Sequence, residues 1–212
     1  MLYTSFVHYP DFSFERKLWR DGFIRVAGVD EVGRGAWAGP VFAAAVIFPP
    51  SVKLGEPLRD SKRIPPTKRE KLAEVIKRLA LFWAVSSSSV AEIEKEGIGR
   101  ATELAMAGAL DQIPYPVEFV LVDYFRLSFW PAERQNPIKF GDTLSNSIAA
   151  ASILAKVARD DLMRELGKKY PPYGFEIHKG YGTRMHQQTI REHGLSEIHR
   201  ASFVPAGLVA AN

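Results

Sequence analysis

Cysteine is absent from all 212 residues of the chain. Disulfide bonds, thiolate metal ligands and cysteine nucleophiles are therefore excluded together, and the composition fits a reducing cytoplasm. Hydrophobic runs are short as well, since the longest, residues 41–48, is far below the roughly 20 residues that span a bilayer. The opening residues lack the basic segment and apolar run of a signal peptide. We therefore expect a cytoplasmic protein without membrane association.

Repeats, low-complexity tracts and breaks in composition are missing too. The length suffices for one domain with a sizeable core, so we predict a single domain over residues 1–212. Within it we expect a helical N-terminal arm (1–25) and a small helical C-terminal extension (about 170–212), and we expect a monomer. The net charge of +4 permits nucleic-acid binding without establishing it.

The chain does contain alternating apolar runs and amphipathic stripes. Apolar runs predict five strands, at residues 26–30, 41–48, 81–85, 119–123 and 138–140. Helical spacing predicts helices at residues 14–20, 66–79, 99–110, 145–169 and 183–194. The longest helix is expected to bury one stripe, formed by Ile148, Ala151, Ala155, Ala158, Leu162 and Leu166. Short turns join the first strands and helices join the later ones, which favours an α/β fold with a mixed five-stranded sheet flanked by helices.

Carboxylates stand at the ends of two predicted strands. Asp30 and Glu31 end the first strand, Asp123 ends the fourth, and Asp142 precedes the longest helix. If the first and fourth strands are parallel neighbours, their carboxyl ends meet where open α/β folds bind ligands. Four clustered carboxylates need cations, and oxygen-only ligands select Mg²⁺ or Mn²⁺. Two such ions are the machinery of phosphodiester cleavage.

Each acid also has a simpler interpretation. Asp30 and Glu31 can face water at a strand end, Asp123 can be a turn residue, and Asp142 can cap a helix. Taken singly, these roles are common, but the four positions taken together favour the metal cluster. Neither a Ser-His-Asp arrangement nor a Walker loop competes with this interpretation.

A series of short motifs extends along nearly the whole chain. They are VDEVGRG at 29–35, AGPV at 38–41, RDSK at 59–62, LVD at 121–123, GD at 141–142, IAAASILAKVARD at 148–160, HKGYGT at 178–183 and HRASF at 199–203. In this order, the motifs resemble the ribonuclease HII family, the type 2 ribonuclease H of bacteria. The resemblance implies a ribonuclease H-like fold and a metal-dependent endonuclease that acts on RNA within DNA-containing duplexes.

The resemblance also assigns the acids. It implies that Asp30, Glu31, Asp123 and Asp142 are catalytic and bind two Mg²⁺ or Mn²⁺ ions. Asp30 would bridge the two ions. Asp142 would help to hold the ion that activates the attacking water, and Glu31 and Asp123 would hold the ion at the leaving 3′-oxygen. The cut would fall on the 5′ side of a ribonucleotide, in RNA/DNA hybrids or embedded singly in duplex DNA. The products would carry 3′-hydroxyl and 5′-phosphate ends.

Substrate contacts follow from the same resemblance. The turn formed by Gly33, Arg34 and Gly35 would read the 2′-hydroxyl, the group that distinguishes RNA from DNA. Tyr181 would stack under the neighbouring deoxyribose, the alternative being an ordinary loop aromatic. Candidate phosphate contacts, for which a solvated side chain is the alternative, are Lys62, Lys156 and Lys179.

Some residues depart from the family pattern. The family usually has glycine where this chain has Tyr124, beside a predicted metal ligand, and Phe140 separates Lys139 from the GD motif. A bulky group there could narrow the site or alter substrate access.

Other titratable residues are expected to be structural. The histidines are scattered without zinc spacing, so packing or capping roles are expected for His178, His186, His193 and His199. Asp160 and Asp161 are expected to form ion pairs on the outer side of the longest helix, outside the site.

Two rival interpretations remain at this point. Ribonuclease HIII shares the same acids but carries an additional N-terminal substrate-binding domain, for which the arm before Val26 is short. A non-catalytic nucleic-acid-binding protein with this fold would not need four converging acids.

Overall fold

A mixed sheet forms the centre of the molecule, in a computed structural model that describes residues 9–58 and 64–209. Its strands are β1 Val26–Val32, β2 Val41–Ile47, β3 Phe82–Ser88, β4 Phe119–Asp123 and β5 Gln135–Ile138. The spatial order is β3-β2-β1-β4-β5. β1 and β2, and β2 and β3, pair antiparallel, whereas β1 and β4, and β4 and β5, pair parallel. The predicted α/β class and strand directions are confirmed.

Six α-helices lie within the described residues. They are α1 Ser13–Arg20, α2 Pro66–Leu79, α3 Val90–Asp111, α4 Asn146–Lys169, α5 Phe175–His178 and α6 Arg184–His193. None of them combines the length and the apolar character needed to cross a bilayer.

Two predicted elements differ in their bounds for local backbone reasons. The helix predicted over residues 99–110 is the second part of α3, which begins at a capping box formed by Ser89 and Glu92 and is kinked at Gly97, where φ is 78°. The fifth strand lies at Gln135–Ile138 rather than 138–140, because Phe140 has a φ of 59°, which a strand does not accommodate.

Hydrophobic layers cover both faces of the sheet. One face of β2, with Ala43 and Ala45, packs toward α3, while the other, with Ala44 and Val46, packs toward α2 and α4. The small side chains let α4 approach the sheet closely. At Gly28 in β1, an added Cβ would collide with the main chain of α4. α4 is therefore held directly against the strand that carries Asp30.

The buried stripe of α4 changes halfway along the helix. The prediction is confirmed up to Ala155, but Ala158, Leu162 and Leu166 are only half-buried. The second half instead continues the stripe from Ala155 at four-residue spacing, so that its buried residues include Arg159, Asp160, Met163 and Gly167. This half packs against α2 and the C-terminal extension. The charged side chains buried there are paired or hydrogen-bonded.

The N-terminal arm supports the start of α4. Glu15 in α1 is fully buried, and its carboxylate accepts hydrogen bonds from the Ser145 hydroxyl (2.6 Å) and the Ser147 N–H (2.9 Å). Ser145 is the N-cap of α4, and its hydroxyl accepts from the Ile148 N–H. A carboxylate at a helix N-terminus is favourably placed relative to the helix dipole. The arm thus fixes the helix that follows Asp142.

Candidate active site

The four predicted acids meet at the carboxyl edge of β1 and β4. Val29 pairs with Val122 in parallel register, so Asp30 and Asp123 lie next to each other. The N–H of Gly141 donates to the Asp123 carboxylate (2.6 Å), which ties the turn carrying Asp142 to the end of β4. The predicted convergence of strand ends is therefore present.

Asp30 is the most constrained of these acids. Its side chain is 5% exposed, and one carboxylate oxygen accepts from the Glu31 N–H (2.7 Å). Burial, and then the negative charges of Glu31, Asp123 and Asp142, raise the pKa of Asp30 well above its usual value, while a hydrogen bond from Ser152 opposes the rise. Bringing a cation to the cluster would offset this repulsion.

The donor set fits a hard divalent cation. The four side chains offer only carboxylate oxygens, the ligands preferred by Mg²⁺ and Mn²⁺. Within residues 9–58 and 64–209, no three acidic or histidine side chains already enclose one ion position. One carboxylate oxygen of Asp30 and one of Asp123 each accept a hydrogen bond from a main-chain N–H, which helps to orient both side chains.

The turn at residues 33–35 lies beside the acids. Gly33 has a φ of 95°, and a Cβ there would collide with the Arg159 side chain. The Arg34 guanidinium is 4.0 Å from the Glu31 carboxylate and lies 5.3 Å from the centre of the Phe125 ring. Glycine is therefore required at Gly33 both by the backbone and by the packing.

Arg159 holds this turn from beneath, a role that the sequence prediction missed. It is fully buried on α4 and donates to the carbonyl oxygens of Pro40 (3.0 Å), Lys179 (3.0 Å) and Ala38 (3.1 Å). Its guanidinium also lies 5.5 Å from the centre of the Tyr181 ring. One side chain therefore joins the segment after β1 to the loop that carries Tyr181.

Arg200 supports the same turn from the C-terminal extension. It is fully buried and donates to the carbonyl oxygens of Gly39 (2.9 and 2.7 Å) and Arg34 (2.9 Å). Burial, and then the nearby positive charge of Arg159, lower the pKa of Arg200 to about 9. A buried cation is costly, so the two arginines indicate that the position of this turn is tightly specified.

Tyr181 is fixed by a chain of hydrogen bonds between histidines. His199 Nδ1 accepts from the Ser196 N–H (2.8 Å), so its Nε2 carries the proton that faces His186 Nε2 at 3.0 Å. His186 must then carry its proton on Nδ1, which donates to the Tyr181 carbonyl oxygen (3.1 Å). The bonds that His199 Nδ1 and His186 Nε2 accept therefore require neutral imidazoles in these tautomers.

The histidines are not scattered in space, which corrects that part of the prediction. His178 stacks on His186 with ring centres 4.3 Å apart, and His186 contacts His199. Burial lowers the pKa of His199 to about 4, and burial followed by the nearby His178 lowers the pKa of His186 to about 4. His193 lies apart, beside Glu192. The predicted packing role is confirmed for the three buried histidines.

Two of the three predicted lysines line a cleft of about 590 Å³ beside the acids. Glu31, Lys156, Lys179 and Tyr181 are among its lining residues. Lys156 Nζ also lies 5.8 Å from the centre of the Tyr181 ring. Lys62 lies outside the described residues.

Asp160 anchors the lysine side of this cleft. One carboxylate oxygen pairs with Lys156 (2.6 Å) and the other with Arg69 (2.9 Å), which also donates to the Ile64 carbonyl oxygen. The predicted ion pairing is confirmed, but Asp160 is buried rather than on the outer side of the helix. Asp161 is exposed and pairs with Arg164, as expected.

Comparisons with known proteins agree with this geometry. The family model described as Ribonuclease HII matches residues 27–206. A ribonuclease HII from Desulfitobacterium hafniense (strain DSM 10664 / DCB-2) is 49% identical over 191 residues, which cover 90% of this chain and 73% of that protein.

Solved structures show the same fold. The PCNA:RNase HII complex from Archaeoglobus fulgidus matches with a TM-score of 0.71 at 23% identity, over 88% of this chain and 98% of that chain. Bst-RNase HIII in complex with Mn²⁺ matches with a TM-score of 0.58 at 19% identity, over 81% of this chain and 63% of that chain. By family model and sequence identity, the chain belongs to the ribonuclease HII family of nucleases.

Proposed function

We propose that the protein hydrolyses the phosphodiester bond on the 5′ side of ribonucleotides, in RNA/DNA hybrids and singly embedded in duplex DNA. The products are 3′-hydroxyl and 5′-phosphate ends. The observation that carries the proposal is the buried Asp30, with three further acids around it, beside a glycine turn and Tyr181. We further infer that it acts as a monomer in the cytoplasm.

The acids are proposed to hold two Mg²⁺ or Mn²⁺ ions. Asp30 would contribute to both, Asp142 to the ion near the attacking water, and Glu31 and Asp123 to the ion near the leaving 3′-oxygen. The bound ions would stabilise the negative charge that develops on the attacking and leaving oxygens. The related Bst-RNase HIII has been solved in complex with Mn²⁺, which supports a divalent cation here.

The remaining residues are proposed to select the ribose. The main-chain groups of Gly33, Arg34 and Gly35 can approach the 2′-hydroxyl because no Cβ intervenes at the glycines. Tyr181 would stack under the adjacent deoxyribose and thereby place the RNA–DNA junction over the acids. The ammonium groups proposed to contact phosphates on the surrounding backbone are those of Lys62, Lys156 and Lys179.

A nicking assay tests the proposal. The substrate is a DNA duplex with one ribonucleotide, incubated with Mg²⁺ or Mn²⁺, and the products are sized against a 5′-side cleavage marker. An all-DNA duplex and the Asp30→Asn variant serve as controls. Absence of nicking by folded protein with both metals would refute the enzymatic role. Cleavage of long RNA/DNA hybrids without cleavage at the single ribonucleotide would refute the proposed specificity.

A further inference from the structure

Two exposed aromatic residues flank the acids on the β5 side of the site. Tyr124 directly follows Asp123 and is 64% exposed, while Phe140 stands two residues before Asp142 and is 62% exposed. The Tyr124 N–H donates to the Ile138 carbonyl oxygen at the end of β5 (2.9 Å). Both residues therefore lie at the sheet edge that carries the acids.

Both residues occupy backbone conformations that suit glycine. Tyr124 has a φ of 67° and Phe140 a φ of 59°, in the left-handed region where a side chain costs conformational energy. Their exposure shows that burial of the rings does not compensate for this cost. An aromatic ring at such a position stabilises neither the backbone nor the core, which points to a role in binding.

The surroundings of the two residues have the character of a nucleic-acid surface. Lys139 Nζ lies 5.4 Å from the centre of the exposed Phe140 ring. An exposed ring with a cation beside it suits contact with the sugars and phosphates of a nucleic-acid backbone. Such a surface is complementary to a polyanion.

The position relative to Tyr181 defines which part of a substrate this surface would meet. Tyr181 and the turn at residues 33–35 lie on the β1 side of the acids, joined by Arg159. Tyr124 and Phe140 lie on the opposite side, where β4 pairs with β5. A duplex placed with its scissile phosphate at the acids would reach both surfaces.

We propose that Tyr124 and Phe140 form an aromatic rim that packs on the sugars of the duplex beyond the cleaved bond, on the side away from Tyr181. The inference rests on the proposed function and extends its substrate footprint. The rim acts on substrate affinity and not on the chemical step, since neither ring belongs to the acid cluster.

Steady-state kinetics on the singly ribonucleotide-substituted duplex test the rim. In the double variant Tyr124→Gly/Phe140→Gly, KM should rise at least about fivefold, because two rings lose their apolar contact with the substrate. The kcat should change by less than about twofold, because an interaction equal in ground and transition states changes KM alone. The Tm should rise by roughly 2–4 °C or more, because glycine relieves the left-handed strain.

Two further variants separate the ring from the backbone. The single variant Tyr124→Phe keeps the ring and should therefore keep the affinity that the single variant Tyr124→Gly loses. Tyr115→Ala removes a ring that is 55% exposed but precedes β4, at the opposite end of the strand from the acids. Its KM should equal that of the wild type.

The possible results are distinguishable. Unchanged KM in the double variant, or a fall in kcat at constant KM, would overturn the rim. A lower Tm would overturn the argument that the rings destabilise the fold. If the wild type does not nick the substrate, the proposed function is refuted without a test of the rim. The rim is then tested by measuring the affinity for an all-DNA duplex by fluorescence anisotropy. Equal affinity of wild type and double variant in that assay would overturn it.

Discussion

Acidification should lower the stability of the fold through two buried histidines next to the loop that carries Tyr181. His186 and His199 are buried and linked through their Nε2 atoms, an arrangement that leaves no room for a second proton between them. Protonation of either ring would place two N–H groups face to face. The bonds that the two rings accept, from the Ser196 N–H and across the Nε2 pair, exist only while the accepting ring is neutral.

The size of the effect follows from the two pKa values. Both histidines have a folded-state pKa of about 4, below the usual 6.5. As the pH falls through 6.5, the unfolded chain therefore binds protons first, and stability is lost between pH 6.5 and about 4. At pH 5 this amounts to about 2 kcal/mol for each histidine and about 4 kcal/mol for the pair. This loss is a large share of the free energy of unfolding, which is roughly 5–15 kcal/mol for a typical protein.

Urea unfolding at pH 7.5, 6.5, 5.5 and 5.0 measures this loss. The comparison is the double variant His186→Asn/His199→Asn, whose amides can retain the bonds to Tyr181 and Ser196. A matched variant is needed because Glu15 has an opposite effect. Burial raises the pKa of Glu15, so this residue stabilises the fold more as the pH falls. The variant should be less stable at pH 7.5 but lose about 4 kcal/mol less on going to pH 5. Parallel stability curves for the two proteins would refute the neutral histidine chain.

Three substitutions test other parts of the structure. Asp30→Asn should abolish nicking yet raise the Tm by roughly 2–4 °C, because it removes one of four clustered charges; a lower Tm in thermal unfolding would contradict the repulsion. Gly28→Ala should cost about 3 kcal/mol in urea unfolding, because the new Cβ meets the main chain of Ser147; wild-type stability would disprove the close approach of α4. Asp160→Asn should cost about 3 kcal/mol by removing the buried negative charge that pairs with Arg69 and Lys156, while kcat stays near wild type; a loss of several orders of magnitude in kcat would place Asp160 among the catalytic acids.

The sequence was sufficient to predict most of the sheet and the acid cluster. Strand runs such as 41–48 are apolar throughout because the sheet is covered on both faces, and that signal is local. Asp30 and Asp123 could be placed together because short turns and helical crossovers leave few ways to order the strands.

The supports of the site could not be predicted in the same way. Arg159 continues the buried stripe of α4 four residues after Ala155, but arginine is normally read as a surface residue. Its partners, and those of Arg200, are main-chain carbonyl oxygens distant in the sequence, which carry no side-chain signature. The histidine chain depends likewise on how the C-terminal extension folds. Hydrophobic periodicity records apolar burial and does not record polar groups buried with their hydrogen bonds satisfied.

α4 determines the distances between the parts of the site. Its 24 residues, about 36 Å long, carry in succession Ser152 against Asp30, Lys156 at the cleft and Arg159 under the glycine turn. A single residue inserted between Ser152 and Lys156 would turn everything beyond it by about 100°. The acids would keep their places while the ribose-reading elements lost their support. The acids and the elements proposed to recognise the ribose thus keep their relative positions because both are held by one uninterrupted helix.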